Sequence, residues 1–162
     1  ASNSDAMSWL QQQSGQSIAA VDSDNNNDGR VIIPSGDLTL DQLTAMLNTI
    51  PTDLTFIDSD NIVRYYSEGK HQVFTRTRTI IGRDVFLCHP PQLIPKIKKL
   101  IEAFRSGEKD LEIVPVKIGS KLNLVRYYAV RNKLGEYIGT VEVTEEMSDI
   151  LELIEQRTES NK

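Results

Sequence analysis

Hydrophobic residues recur at helical spacing in three places. Leu40, Leu43, Met46, Leu47 and Ile50 trace one helix face, with Pro51 closing the segment. Thr39-Leu40-Asp41-Gln42 before them is a capping-box pattern, with a hydroxyl at the cap and an amide three residues on. Ile97, Leu100, Ile101 and Phe104 trace a second helix, with Pro95 in its first turn and Gly107 at the position after its end. Met147, Ile150, Leu151 and Ile154 trace a third, among many glutamates. Between these the period changes to two. Leu54–Asp58 and Ile62–Tyr66 read as strands joined by the turn residues Ser59-Asp60-Asn61. Leu111–Ile118, Leu122–Arg131 and Tyr137–Thr144 read as three more, linked through Gly119-Ser120 and Asn132-Lys133-Leu134-Gly135. In the first of these the apolar phase flips at Pro115, which suits a bulge or a sheet edge.

Two strands, a crossover with short helical turns over residues 67–89 and a helix after it, then a three-strand meander predict an α+β fold. The expected architecture is a five-stranded antiparallel sheet with helices packed on one face, plus flanking N- and C-terminal helices. Residues 1–37 read as an expression scar, Ala1–Ala6, followed by a flexible polar linker; Val31-Ile32-Ile33 near its end has strand character. The expected domain covers 38–146 and the terminal amphipathic helix 147–162. Asp22 to Gly29 resembles a calcium loop in its cluster of oxygens before a glycine, but lacks the closing Glu.

Composition narrows the class. The 162 residues are 39% apolar and 25% charged, enough to bury a core without staples. No run approaches the roughly 18–20 apolar residues that cross a bilayer, so no membrane partner is expected. The lone cysteine, Cys88, excludes an internal disulfide and any multi-cysteine zinc or iron–sulfur site, which favours a cytoplasmic setting. The net charge of −5 hides an uneven distribution and argues against nucleic acid as a partner. Residues 1–60 carry one basic and nine acidic side chains, 61–140 fifteen and seven, and 141–162 two and seven. That basic middle is either an anion-facing patch or a solvated surface, and interleaving with apolar residues favours the surface.

Several stretches together resemble PAS domains, and more narrowly the C-terminal PAS module of DUF438-type bacterial and archaeal proteins. They are Leu47-Asn48-Thr49-Ile50-Pro51-Thr52-Asp53-Leu54-Thr55-Phe56-Ile57-Asp58 and Val63-Arg64-Tyr65-Tyr66-Ser67-Glu68-Gly69-Lys70. Ile81-Gly82-Arg83-Asp84-Val85, Cys88-His89-Pro90-Pro91, Arg126 to Arg131 and Gly135 to Thr144 continue the match. The resemblance implies a non-catalytic sensory or interaction module whose sheet cradles a small molecule against short helices. PAS domains hold haem, flavin, fatty acids, carboxylates or nothing, so the cofactor stays unknown. The acidic start is consistent with a C-terminal fragment of a longer protein.

Phe56, Tyr66, Phe74, Phe86, His89, Ile101, Phe104, Tyr127 and Val141 are the expected lining of such a pocket, or equally the core of an empty fold. His89, just before the second helix, is either a loop-backbone partner that helps start that helix, a ligand contact or an axial haem ligand. Cys88 stands in Phe-Leu-Cys-His-Pro rather than the Asn-Cys-Arg-Phe-Leu-Gln setting of flavin-adduct photosensors, and reads as a small buried side chain. His71, His89 and Cys88 lack metal-site spacing, so no metal is expected. Arg76, Arg78 and Arg83 read as surface charges, with carboxylate or phosphate binding as the alternative. The expected function is a PAS-type sensor binding a small ligand or protein partner as a homodimer. The alternatives are a ligand-free dimerisation unit and a haem- or flavin-dependent redox sensor.

Overall fold

The computed structural model describes residues 29–160. The acidic calcium-loop-like tract therefore lies outside the described residues, apart from its closing Gly29. The chain divides into two units after Gln42. In the first, β1 (Arg30–Ile33) and β2 (Gly36–Thr39) form an antiparallel hairpin. An Arg30–Asp37 ion pair at 2.9 Å crosses it. The expectation of a linker through residue 37 is corrected here: Val31, Ile32 and Leu38 supply strand-forming side chains, and Pro34-Ser35 the turn. Helix α1 (Leu40–Thr49) starts with the expected capping box. The Gln42 N–H donates to Thr39 Oγ1 at 3.1 Å, and the Thr39 N–H donates to Gln42 Oε1 at 3.0 Å.

The second unit is built on β3 (Asp53–Asp58), β4 (Val63–Tyr66), β5 (Leu111–Ile118), β6 (Lys121–Arg131) and β7 (Tyr137–Glu146). They form one antiparallel sheet in the order β4-β3-β7-β6-β5. Two hairpin-linked sets thus meet where β3 pairs with β7, and the crossover between them lies over one face. The β3–β4 turn is held by Asp58, whose Oδ1 accepts the N–H groups of Asp60 and Ile62 at 2.9 and 3.0 Å, while Asn61 takes φ 66°. Pro115 stands in the edge strand β5, whose pairing with β6 runs through it without a shift, so the edge position and not a bulge accommodates it.

The crossover contains three short 3-10 turns, Arg78–Ile80, Val85–Cys88 and Pro91–Leu93, and then α2 (Ile94–Ser106). Gly107 ends α2 with φ 81°, a left-handed conformation open to glycine without steric cost. Ile57, Val63, Val85 and Ile101 form the core between sheet and crossover, with Ile80, Ile81, Phe86 and Ile97 packed against them. Phe104 on α2 is completely buried. Helix α3 (Ser148–Ser160) follows β7 after one residue and buries no side chain. Among the described residues, no helix is long and apolar enough to cross a membrane.

Candidate functional site

Side chains alternate across each strand, so the register decides which residues face the helices. Ile57 belongs to the core on that face. By parity Asp53 and Thr55 share its side of β3, and their β7 partners Thr144 and Glu142 share it too. The β6 partners of those two, Val125 and Tyr127, complete the row, and Tyr66 enters it from β4 opposite Thr55. The centre of this face is polar.

Asp53, fully buried at the start of β3, organises the centre. Its Oδ2 accepts the backbone N–H groups of Val73 and Phe74, each at 2.9 Å. Its Oδ1 accepts Arg76 Nη1 at 2.5 Å. The other Arg76 nitrogen, Nη2, donates to Glu142 Oε1 at 3.1 Å, and the guanidinium lies 5.4 Å from the Phe74 ring centre. Carboxylates on two adjacent strands therefore hold one arginine from the crossover. The expectation that Arg76 is a surface charge is corrected: its side chain is only 11% exposed. No hydrophobic period marks residues 67–77, so nothing local in that stretch signals that one of its cations turns inward.

Glu142 is the group whose protonation the site perturbs. Burial raises its pKa above the ordinary carboxylate range, and Asp53 adds to this. Arg76, the Tyr127 hydroxyl and His89 pull in the opposite direction without cancelling it. Tyr127, directly opposite Glu142 in the sheet, is pushed well above the usual phenol range, first by burial and then by the Glu142 charge. It therefore stays a neutral hydroxyl at physiological pH, within hydrogen-bonding reach of Glu142. Tyr66 is raised for the same two reasons, with Glu68 as its carboxylate, whose Oε1 accepts the Tyr66 hydroxyl at 3.2 Å. Thr55 Oγ1, Thr144 Oγ1 and Asn123 Oδ1 on the same face are buried with no hydrogen-bond partner among the described residues. Such atoms represent unused capacity to bind a polar group.

His89 Nδ1 lies 2.9 Å from the Val85 carbonyl. A carbonyl only accepts, so Nδ1 carries the hydrogen and Nε2 is the nitrogen left to accept when the ring is neutral. The ring is also close enough for its charge to act on Glu142. His89 thus has the expected loop-backbone role and a place beside the polar centre. Cys88 is exposed, correcting the expectation of a buried side chain. Partial burial of its thiol still lifts its pKa, with Asp84 adding and Arg83 opposing, the reverse of what a reactive thiolate needs. No group of three or more metal-ligating side chains occurs among the described residues.

The structure sorts the predicted lining into three groups. Tyr66, Tyr127 and His89 belong to the polar centre, and Phe74 stacks on its arginine. Ile101 and Phe104 are buried core and Phe86 packs half-buried against that core; Phe86 and Ile101 also line a hollow together with Asn61, Lys98 and Lys99. Phe56 and Val141 are a correction. They pair with each other in register, one step out of phase with Ile57 and Glu142, and so project from the opposite face of the sheet. A hydrophobic strand residue looks the same on either face until the register is known. Asp53, Glu142, Thr55 and Thr144 were not among the expected site residues, because Thr, Asp and Glu inside strands read as solvent-facing positions. No local signal marks Glu142: between Val141 and Val143 it reads as the solvent-facing member of an alternating strand.

A PAS domain family model matches residues 43–148. The chain is similar to a C-terminal domain from Streptococcus mutans, at 32% identity and a TM-score of 0.72, covering 78% of this chain and 98% of that one. It is also similar to a PAS domain from Colwellia psychrerythraea (12% identity, TM-score 0.50, covering 68% and 98%). The PAS domain of Bordetella pertussis BvgS is a further similar structure (14% identity, TM-score 0.50, covering 75% and 97%). Among curated proteins none matches. The antiparallel order β4-β3-β7-β6-β5, the crossover on one face and the match over residues 43–148 lead to one conclusion: this chain belongs to the PAS domain family.

Proposed function

We propose that this PAS domain is a non-catalytic sensory module that reads a small polar ligand, and passes the change along β7 to a self-associating α3. The carrying observation is the position of Glu142. It sits in the buried Asp53–Arg76–Tyr127 cluster and on the strand that ends four residues later, one residue before α3. A change in the charge or hydrogen bonding of Glu142 acts on the strand whose end positions Met147, whose N–H donates to the Leu122 carbonyl at 2.8 Å. The unpartnered atoms of Thr55, Thr144 and Asn123 supply hydrogen bonds for a ligand beside that cluster. Ligand binding shifts the populations of two α3 arrangements by as much as its affinity differs between them.

Native mass spectrometry of the purified chain, compared with the same sample denatured, tests this reading. The expected result is extra mass that is lost on denaturation, together with a dimer signal. Protein at its bare sequence mass, from cells and after incubation with a library of small polar metabolites, overturns ligand sensing and leaves a ligand-free association unit.

A further inference from the structure

The face of the sheet beneath the crossover keeps unspent hydrogen-bonding capacity, and that capacity accepts. Asp53 and Glu142 set two carboxylates against the single guanidinium of Arg76, which leaves negative charge in excess. Both terminal nitrogens of Arg76 are taken, Nη1 by Asp53 and the Phe74 carbonyl, and Nη2 by Glu142. Arg78 acts on Tyr66 at the β4 side, where the Glu68 carboxylate opposes it. An anion brought to Glu142 therefore meets two carboxylates and an arginine already engaged.

Asp53 is saturated by two backbone N–H groups and Arg76. Glu142 is not. A carboxylate has about four acceptor positions, and Arg76 and the Tyr127 hydroxyl use two of them. Hydroxyls without a partner flank the rest. Thr55 stands directly opposite Glu142 in the β3–β7 pairing, ~5 Å across, and Thr144 lies two residues along β7, ~7 Å away. Thr144 is completely buried. Asn123, also buried, stands one row beyond Thr144. Its amide nitrogen lies 3.3 Å from the Lys121 carbonyl, which only accepts, so the unpartnered Oδ1 is a further acceptor. His89 adds Nε2 when its ring is neutral.

A group that complements this arrangement carries positive charge and several N–H donors. A primary ammonium has both, with one N–H for Glu142 and two for the hydroxyl oxygens of Thr55 and Thr144. Burying such a cation is costly unless it is paired, and Glu142 supplies the counter-charge. These atoms are closed to solvent, but residues 67–77 above them form no helix or strand. Entry therefore requires that this segment lift from Asp53, not that a helix or strand unravel.

We infer that the site takes a small organic ligand through a primary ammonium group, held between Glu142, Thr55 and Thr144. This rests on the reading of the face as a ligand site, and it specifies the charge and donor chemistry of what enters.

Amide NMR titration of the full chain with n-propylammonium, propionate and n-propanol tests it, following Thr55, Glu142 and Thr144. The expected result is saturable shifts with n-propylammonium, at least ~10-fold tighter than with either of the others. Glu142→Gln weakens that binding by about 10-fold or more. Thr144→Val, which removes only an unpartnered hydroxyl, keeps the fold and weakens it by about 3- to 10-fold. This second variant decides the matter where Glu142→Gln fails to fold. Tighter binding of propionate or n-propanol overturns the ammonium assignment and leaves ligand sensing standing. Binding of n-propylammonium that is indifferent to Thr144→Val overturns it in the same way. Binding of none of the three overturns it as well, and native mass spectrometry showing bare protein then removes ligand sensing with it.

Discussion

Arg76 and Glu142, 66 residues apart in the chain, meet at 3.1 Å across the face of the sheet that packs against the crossover. The same guanidinium holds Asp53 on the neighbouring strand. One cation therefore ties the crossover to both strands where the two hairpin-linked sets of the sheet join. A buried ion pair of this kind is a weak source of net stability, because desolvation offsets its attraction. Its removal from one side is a different matter.

Arg76→Ala leaves Asp53 and Glu142 facing each other without a counter-charge. The expected outcome is a loss of about 3–5 kcal/mol in urea unfolding at neutral pH. Asp53 retains the N–H groups of Val73 and Phe74, so the fold survives in weakened form. A loss below ~1 kcal/mol would show that the pair is not desolvated in solution.

Glu142 gives stability a pH dependence of defined sign. Its folded pKa is raised above the ordinary glutamate value of 4.5, so between that value and the folded one the native state binds more protons than the unfolded chain. Stability therefore falls as pH rises through this window, and the contribution is full below 4.5. Denaturant midpoints measured from pH 4 upward for wild type and Glu142→Gln check this. The difference between the two curves is expected to shift in favour of the variant as pH rises, and a pH-independent difference contradicts the assignment.

Gly139 in β7 stands where another strand's backbone comes close. A Cβ there would lie 2.3 Å from the Ile57 carbonyl oxygen and 2.6 Å from the Phe56 ring. Backbone cannot yield as a flexible side chain does, so Gly139→Ala is expected to cost about 1–3 kcal/mol and lower Tm by at least ~3 °C. A Tm within ~1 °C of wild type would mean that the β3–β7 pairing is looser than the register implies.

Most of the architecture is legible in local pattern. The helical spacing from Ile97 to Phe104 and the positions of Pro95 and Gly107 define α2 because amphipathic period and end chemistry are properties of a short segment. The strands and the Ser59-Asp60-Asn61 turn are readable for the same reason, and the combined motifs carry the family resemblance. The β1–β2 hairpin was only half legible, since Gly36-Asp37 looks like linker until Arg30 and Asp37 are seen to pair across it.

The sequence by itself determined the order of elements, the antiparallel class and the family, all of which follow from period, turns and motif. Only the tertiary structure decided which face each strand residue presents, because a side-chain period of two makes Phe56 and Thr55 exchange sides with a shift of one residue. That choice put Phe56 and Val141 on one face, and Asp53, Glu142 and Tyr127 on the other. It also decided that Arg76, one of several cations in an aperiodic stretch, is the one drawn inward. Two carboxylates from neighbouring strands create that demand, and they become neighbours only once the sheet has closed.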